Sequence, residues 1–391
     1  MDNVERQQST TVQPCGSEAE FKSRTVMHAC FKQVLSAVRC ALDHPGDDAI
    51  ILIVGPTGVG KSRLLERLKS ELMEAALDAM LADPGLIPAL FVEARKPDSP
   101  GPFNWREYYE RILLDAKEIL IDSKLAPDRA KSLRNPEGYL KSRYTNTAVD
   151  LRFAVEQCLR YRQVKTILTD EAQSLAVVST GRGLNDQMEN IKSLANLTRV
   201  THTLAATYAG LSLIQLSGQL CRRITVIEFG RYRPTSTDDA DIRAFQNTLH
   251  TFQMLLPLQE PPDLLTHWEY LFVNSLGCVG TLKGWLEQAL GQALEDKART
   301  LTLTHLERTV KPPQSLLKMY QEIVEGEARI QELYAVSQDT LRALLGFPPR
   351  ARVLPSSPPA TETVPDHGAR GGQKKSRPGK RAPSRDVIGV H

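Results

Sequence analysis

The 391 residues are 41% hydrophobic and 24% charged, the balance of a soluble globular chain with core material for more than one domain. The longest apolar run, Ala49–Val54, is too short to span a bilayer, and no basic-then-apolar leader follows Met1. The expectation is therefore a cytoplasmic protein with no membrane partner. The net charge of +3 is uneven: seven basic side chains and one acidic lie in 368–391, leaving 42 basic against 45 acidic residues elsewhere. Cys15, Cys30, Cys40, Cys158, Cys221 and Cys278 form no CxxC pair, and Cys30 and Cys40 fall in a helical stretch, which reads as free thiols in a reducing compartment.

In chain order, residues 1–18 are polar and without period, as expected of a disordered start. From Glu20 to Leu42, apolar residues recur at helical spacing until His44-Pro45-Gly46 ends the helix. A buried strand, Ala49–Val54, follows, then a glycine-rich turn and a helix over Ser62–Leu77. Further strands are expected at Ala89–Glu93, Val164–Leu168, Thr203–Thr207 and Ile224–Phe229, with helices at Trp105–Ile121 and Ala148–Tyr161. Strands alternating with helices predict an α/β fold with a five-stranded parallel sheet covered on both faces. Beyond Arg233 the pattern is helical only: Asp239–Leu256, Asp263–Leu276, Thr281–Lys297 and Thr304–Val310 suggest a small all-α domain, and 315–345 a further amphipathic stretch. From Pro348 the chain is rich in Pro, Ser, Gly, Lys and Arg and is expected to be a disordered basic tail. The expected division is 1–18, an α/β nucleotide-binding domain over 19–233 with an insertion at about 97–162, a helical lid over 234–312, an extension over 313–347, and the tail 348–391.

The turn after the first strand carries the chemistry. Gly55-Pro56-Thr57-Gly58-Val59-Gly60-Lys61-Ser62 fits G-x-x-x-x-G-K-[ST] at every fixed position, with a strand before it and a helix after it. Backbone N–H groups must wrap a polyanion closely, and a side chain at Gly55, Gly58 or Gly60 would obstruct them. The following helix aims its positive end at the phosphates. Lys61 is expected to reach the β- and γ-phosphates of ATP, Ser62 to ligate Mg2+, and Arg63 to complete the nucleotide-binding set. The strand at Val164–Leu168 runs into Thr169-Asp170-Glu171, placing Asp170 to hold the metal's water shell and Glu171 to orient an attacking water. Gln173 reads as an exposed loop residue that could also face the site. Thr207, at the end of the fourth strand, is the candidate contact to the γ-phosphate or the lytic water. Either Arg222 or Arg223, just before the fifth strand, could reach a neighbouring subunit's nucleotide. Lys283, opening a helix of the lid, is a candidate for coupling that domain to the phosphates.

With these residues in place, the chain resembles the AAA+ ATPases that regulate DNA transposition, the TnsC/TniB group. The resemblance covers about residues 20–310 and rests on Gly55–Ser62, Leu168–Gln173, the strand ending at Thr207, the run from Arg222-Arg223 to Phe229-Gly230-Arg231-Tyr232, and Gly280–Leu286. It implies an AAA+ P-loop fold and ATP hydrolysis with Mg2+. It also implies assembly of the chain with itself as a ring or helical filament on double-stranded DNA, linking a target-selection protein to a transposase, with hydrolysis driving disassembly. Lys61, Ser62, Asp170, Glu171, Thr207, Arg223 and Lys283 inherit the Walker A, Walker B, sensor and finger roles by resemblance. The 109 residues from Lys61 to Asp170 exceed a compact core of this kind. The extra segment is basic, and Lys131, Lys141, Arg143, Thr145 and Arg152 are its candidate contacts to the DNA backbone. The tail reads either as a loose DNA binder or as a tether for a partner protein. The rival reading is an AAA+ ATPase for protein remodelling or secretion that never touches DNA, and a third is a scaffold that binds nucleotide without hydrolysing it.

Overall fold

The computed structural model describes residues 17–46, 50–97, 101–133, 146–176, 181–214, 222–234 and 239–347, without the side chains of 131–133 and 181–186. Of the disordered ends expected at 1–18 and 348–391, residues 1–16 and 348–391 lie outside the described residues, whereas Ser17 caps and Glu18 opens a helix. The chain divides into two compact units, Met1–Ala335 and Val336–His391; the described part of the second holds one short helix, Gln338–Leu344.

The sheet comprises β1 (Ile50–Val54), β2 (Ala89–Glu93), β3 (Thr166–Asp170), β4 (Thr201–Ala206) and β5 (Ile224–Glu228) in the order β2-β3-β4-β1-β5. Every pairing is parallel, and the register sets Val54 opposite Ala206 and Glu228, and Glu93 opposite Asp170. All five strands therefore end at the same edge of the sheet. A five-residue strand buried on both faces reads as a continuous apolar run, which is why Ile50–Val54 shows no alternation. Ile51 and Ile53 pack under α2 (Ala29–Asp43) and α3 (Lys61–Ala75). Ile50, Leu52 and Val54 face α5 (Trp105–Asp115), α7 (Ala148–Tyr161) and α8 (Gly181–Thr198), the last contributing Met188, Ile191 and Leu194. Helix α8 has no counterpart in the sequence reading, although those residues sit at helical spacing.

Strand boundaries differ by one or two residues from expectation at β3 and β4, where the strand includes its polar end: Thr166, Thr169 and Thr201 are buried and bonded within the sheet or to Tyr108. The single helix expected over Glu20–Leu42 is two, α1 (Glu18–Ser23) and α2, because Arg24 turns extended at the end of α1. The helix expected over Ser62–Leu77 stops at Ala75, and a short α4 (Leu77–Ala82) follows. The helix expected over Trp105–Ile121 stops at Asp115, where the chain turns into left-handed conformation at Lys117 and again at Leu120. Described parts of the segment expected as an insertion pack into the sheet's core. Tyr108, Ile112, Leu151 and Val155 of α5 and α7 are at most 1% exposed, and α6 (Pro127–Leu133) is tied to α7 by the Asp150 carboxylate, which accepts from Ala126 N (3.0 Å).

The helical part, α9 (Ala240–Leu255), α10 (Trp268–Ser275), α11 (Val279–Glu295) and α12 (Leu303–Thr309), has its own core of Phe245, Phe252, Leu271, Leu282, Leu286 and Leu290. Phe21 of α1 sits in that core, so the start of the described chain packs with the helical part rather than the sheet. Helix α13 (Pro313–Tyr334) folds back onto the sheet side. It buries Leu316, Ile323, Gly326 and Ile330, one stripe of its surface, and Ile330 joins the sheet's core. Among the described residues no helix is long and apolar enough to cross a membrane, and Cys30, Cys40, Cys158 and Cys278 are free thiols.

Candidate nucleotide site

Between β1 and α3 the chain makes a bend that only glycine fits. A Cβ on Gly55 would stand 2.1 Å from the carbonyl oxygen of Phe229, and one on Gly58 would stand 2.1 Å from Thr281 Oγ1. Gly58 and Gly60 also hold φ of +79° and +115°, a region that side chains disfavour. Gly60 is the residue before α3 and offers no side-chain cap, so the first-turn N–H groups of α3 keep their bonding capacity for an anion. The loop is anchored on both sides: Gly55 N–H donates to Ala206 O (3.3 Å) and Phe229 N–H to Val54 O (2.7 Å). From the helical part, Thr281 N–H donates to Gly58 O (2.8 Å), which brings the start of α11 against the bend.

Lys61 is 9% exposed, and its ammonium donates to Gly55 O (3.0 Å) and Pro56 O (2.8 Å). Burial pulls it down to about 8, while the carboxylates of Glu171 and Asp170 act to keep it charged. Those two acids stand at the tip of β3. Asp170 is buried and accepts from Glu171 N–H (2.9 Å), and Glu171 leaves the strand in left-handed conformation, φ +53°, with its side chain exposed. Ser62 is exposed in the first turn of α3. Among the described residues no three His, Cys, Asp or Glu side chains cluster as a metal site. The donor set suits a divalent ion held by one hydroxyl and one carboxylate with the remaining oxygens from phosphate, the pattern of Mg2+ at phosphoryl sites. Ser62 and Asp170 are the residues that fit it.

Thr207 lies directly after β4, and with Pro56 and Thr57 it lines a cavity of about 200 Å3 roofed by Ile323, Gly326 and Arg329 of α13. Gly326 presses on Tyr208 so closely that an added Cβ would meet the ring at 2.1 Å. Arg231, after β5, forks onto the Glu327 carboxylate (2.9 and 3.3 Å), both side chains about 10% exposed. The docking of α13 beside the Gly55–Ser62 loop has no signal in sequence spacing, because it is set by contacts some 100 residues apart in the chain.

Three expected site residues are placed differently. Lys283 is one turn into α11, and its ammonium donates to Lys22 O and Arg24 O (2.8 Å each). Its charged neighbours are Glu287, Arg63 and Glu66, whereas those of Lys61 are Glu171 and Asp170, so in this structure Lys283 does not face the loop. Arg63 points the same way, bonding Glu66 (2.8 Å) and Lys22 O (3.4 Å). Arg152 is a brace inside the fold: its guanidinium bonds Glu156 (3.0 Å), Asn190 (3.3 Å) and Ser193 (2.7 Å), joining α7 to α8. Lys141, Arg143 and Thr145 lie outside the described residues, as does the Lys131 side chain. Arg222 and Arg223 precede β5 at the end opposite the Gly55–Ser62 loop, with Arg223 roughly 16 Å along the strand direction from Glu228. Arg223 bonds Asn196 there.

Residues 44–214, just under half the chain, match the family model of the AAA domain. The fold is the AAA+ P-loop fold. Among solved structures, this chain is similar to the Aeropyrum pernix ORC2 protein in ADPNP and ADP complexes, at 15% identity and a TM-score of 0.47, with 71% of this chain and 66% of that one covered. It is also similar to a Walker-type ATPase of Pyrococcus abyssi (14% identity, TM-score 0.42, 81% of this chain and 79% of that one). A third is Drosophila ORC bound to DNA (11%, 0.43, 88% and 85%). The chain spans just under two thirds of the first of these. No curated protein matches it in sequence.

Proposed function

We propose that this AAA+ chain binds ATP with Mg2+ at the Gly55–Ser62 bend and hydrolyses it. The observation that carries the reading is the meeting of an uncapped helix start and a buried Lys61 ammonium with the Asp170–Glu171 pair at the neighbouring strand tip. A nucleotide's β- and γ-phosphates would draw the Lys61 ammonium from the carbonyls of Gly55 and Pro56, exchanging two neutral acceptors for charged ones. Ser62 and Asp170 would hold the metal, which supplies charge neutralisation on the phosphates when bound. Glu171 would orient the attacking water, and Thr207 would stand at the far side of the phosphate position. Calorimetric titration with MgATP tests this reading: affinity in the micromolar range that falls at least about 100-fold in Lys61→Ala supports it, and unchanged affinity in that variant refutes it.

The finer reading follows the sequence resemblance to the TnsC/TniB group: an ATP-dependent regulator of DNA transposition that assembles with itself on duplex DNA in the cytoplasm and joins a target-selection protein to a transposase. The position of Arg222 and Arg223, away from their own phosphate loop, suits a contact to the next subunit's nucleotide. Lys131, Lys141, Arg143 and Thr145 remain the candidate DNA contacts, while Arg152 is committed inside the fold. Binding of random-sequence duplex with ATP and with ADP, over a salt series, tests this. ATP-dependent binding that weakens steeply with salt supports the DNA reading, and no binding at low salt leaves a protein-remodelling ATPase in its place.

A further inference from the structure

Gln173 sits in the short 3-10 turn Ala172–Ala176 that follows Glu171. Its backbone is held: Ala172 and Leu175 on either side are 0% exposed, and Ser174 N–H donates to Glu171 O (2.9 Å). From that anchored turn its carboxamide makes two contacts of opposite kind. Nε2 donates to Glu171 Oε2, and Oε1 accepts from Thr207 N–H (3.1 Å). The amide orientation is determined by chemistry. Turned over, it would set N–H against N–H at Thr207 and oxygen against a carboxylate at Glu171, both repulsive.

We propose that Gln173 is a positioning residue for hydrolysis: it fixes the Glu171 carboxylate and ties it to the chain at Thr207, so that the tips of β3 and β4 present their groups as one unit. The inference rests on the ATPase reading given above. Glu171 needs such a partner because its left-handed backbone throws the side chain clear of the strand into an exposed position, where a long carboxylate samples many rotamers. A carboxamide is the side chain that can donate to a carboxylate and accept from a backbone N–H simultaneously. Glutamate loses the donor, and methionine keeps the length but loses both bonds.

The test compares wild type, Gln173→Ala, Gln173→Met and Gln173→Glu for MgATP affinity, by titration with a fluorescent ATP analogue, and for kcat. Each variant is expected to lose about 10- to 100-fold in kcat, the usual cost of removing an orienting partner, with affinity within about threefold of wild type. In a Glu171→Gln background, Gln173→Ala is expected to lower turnover no further, since the group it positions is already disabled. Unchanged kcat in Gln173→Met, or equal losses of kcat and affinity in every variant, overturns the inference while leaving the ATPase reading standing. A wild type that binds MgATP without hydrolysing it removes both.

Discussion

Glu327→Ala tests whether α13 is an integral wall beside the Gly55–Ser62 loop. In the wild type the Arg231–Glu327 fork is about nine-tenths buried, and Arg233 approaches the same carboxylate at 3.5 Å. Deleting one member of a buried pair costs about 3–5 kcal/mol, mostly from the stranded charge. Here Arg231 keeps Leu276 O at 3.4 Å and the face of Tyr320 at 5.6 Å, and Arg233 keeps Glu228 at 3.4 Å, so the low end, about 3 kcal/mol, is expected. Leu316, Ile323 and Ile330 each contribute about 1.5–3 kcal/mol of burial, so the helix stays docked but opens about 150-fold more often. Hydrogen exchange resolved by residue reads this directly. Amides of 316–330 should lose protection by that factor, while those of β1 and β4 keep theirs. Replacing both partners, Arg231→Met with Glu327→Leu, should restore most of the protection. Equal protection in Glu327→Ala and wild type, or a uniform loss through the sheet, would refute the argument.

Gly55→Ala should cost at least tenfold in MgATP affinity, because its Cβ would strike the Phe229 carbonyl, a backbone atom that cannot swing aside; binding titration checks this. Asp150→Ala should destabilise the fold by about 2–4 kcal/mol in urea unfolding, since the carboxylate is fully buried and serves Ala126 N–H, Thr147 N–H, the Thr147 hydroxyl and Arg129. Acid should weaken the fold above the carboxylate range. Burial lowers His28 and His202 to about 4, so both are neutral when folded and take up a proton on unfolding below about 6.5. Their stabilisation is full above pH 6.5 and falls by about 2 kcal/mol each by pH 5. His202→Asn should flatten that slope by about half, as read by urea midpoints from pH 5 to 7.

The parts of the site that sequence made legible are those that local chemistry dictates. A phosphate bend needs glycine where side chains would collide, and Gly55–Ser62 declares this in eight consecutive residues. An apolar run ending in Asp170-Glu171 is likewise a local pattern, so the strands and the two halves of the pocket could be named before any coordinates. Three things needed the tertiary structure. Lys283 and Arg152 carry charges that look free on paper, and only the fold shows Lys283 spent on the carbonyls of Lys22 and Arg24 and Arg152 spent between α7 and α8. Gln173 looks like loop polarity until its amide is seen between Glu171 and Thr207, residues that directly follow two different strands. Helix α13 shows its apolar stripe in sequence, but not that the stripe lies on Tyr208 and the sheet. Periodicity records which residues seek burial; which surface receives them depends on partners distant in the chain, and that choice belongs to the folded state alone.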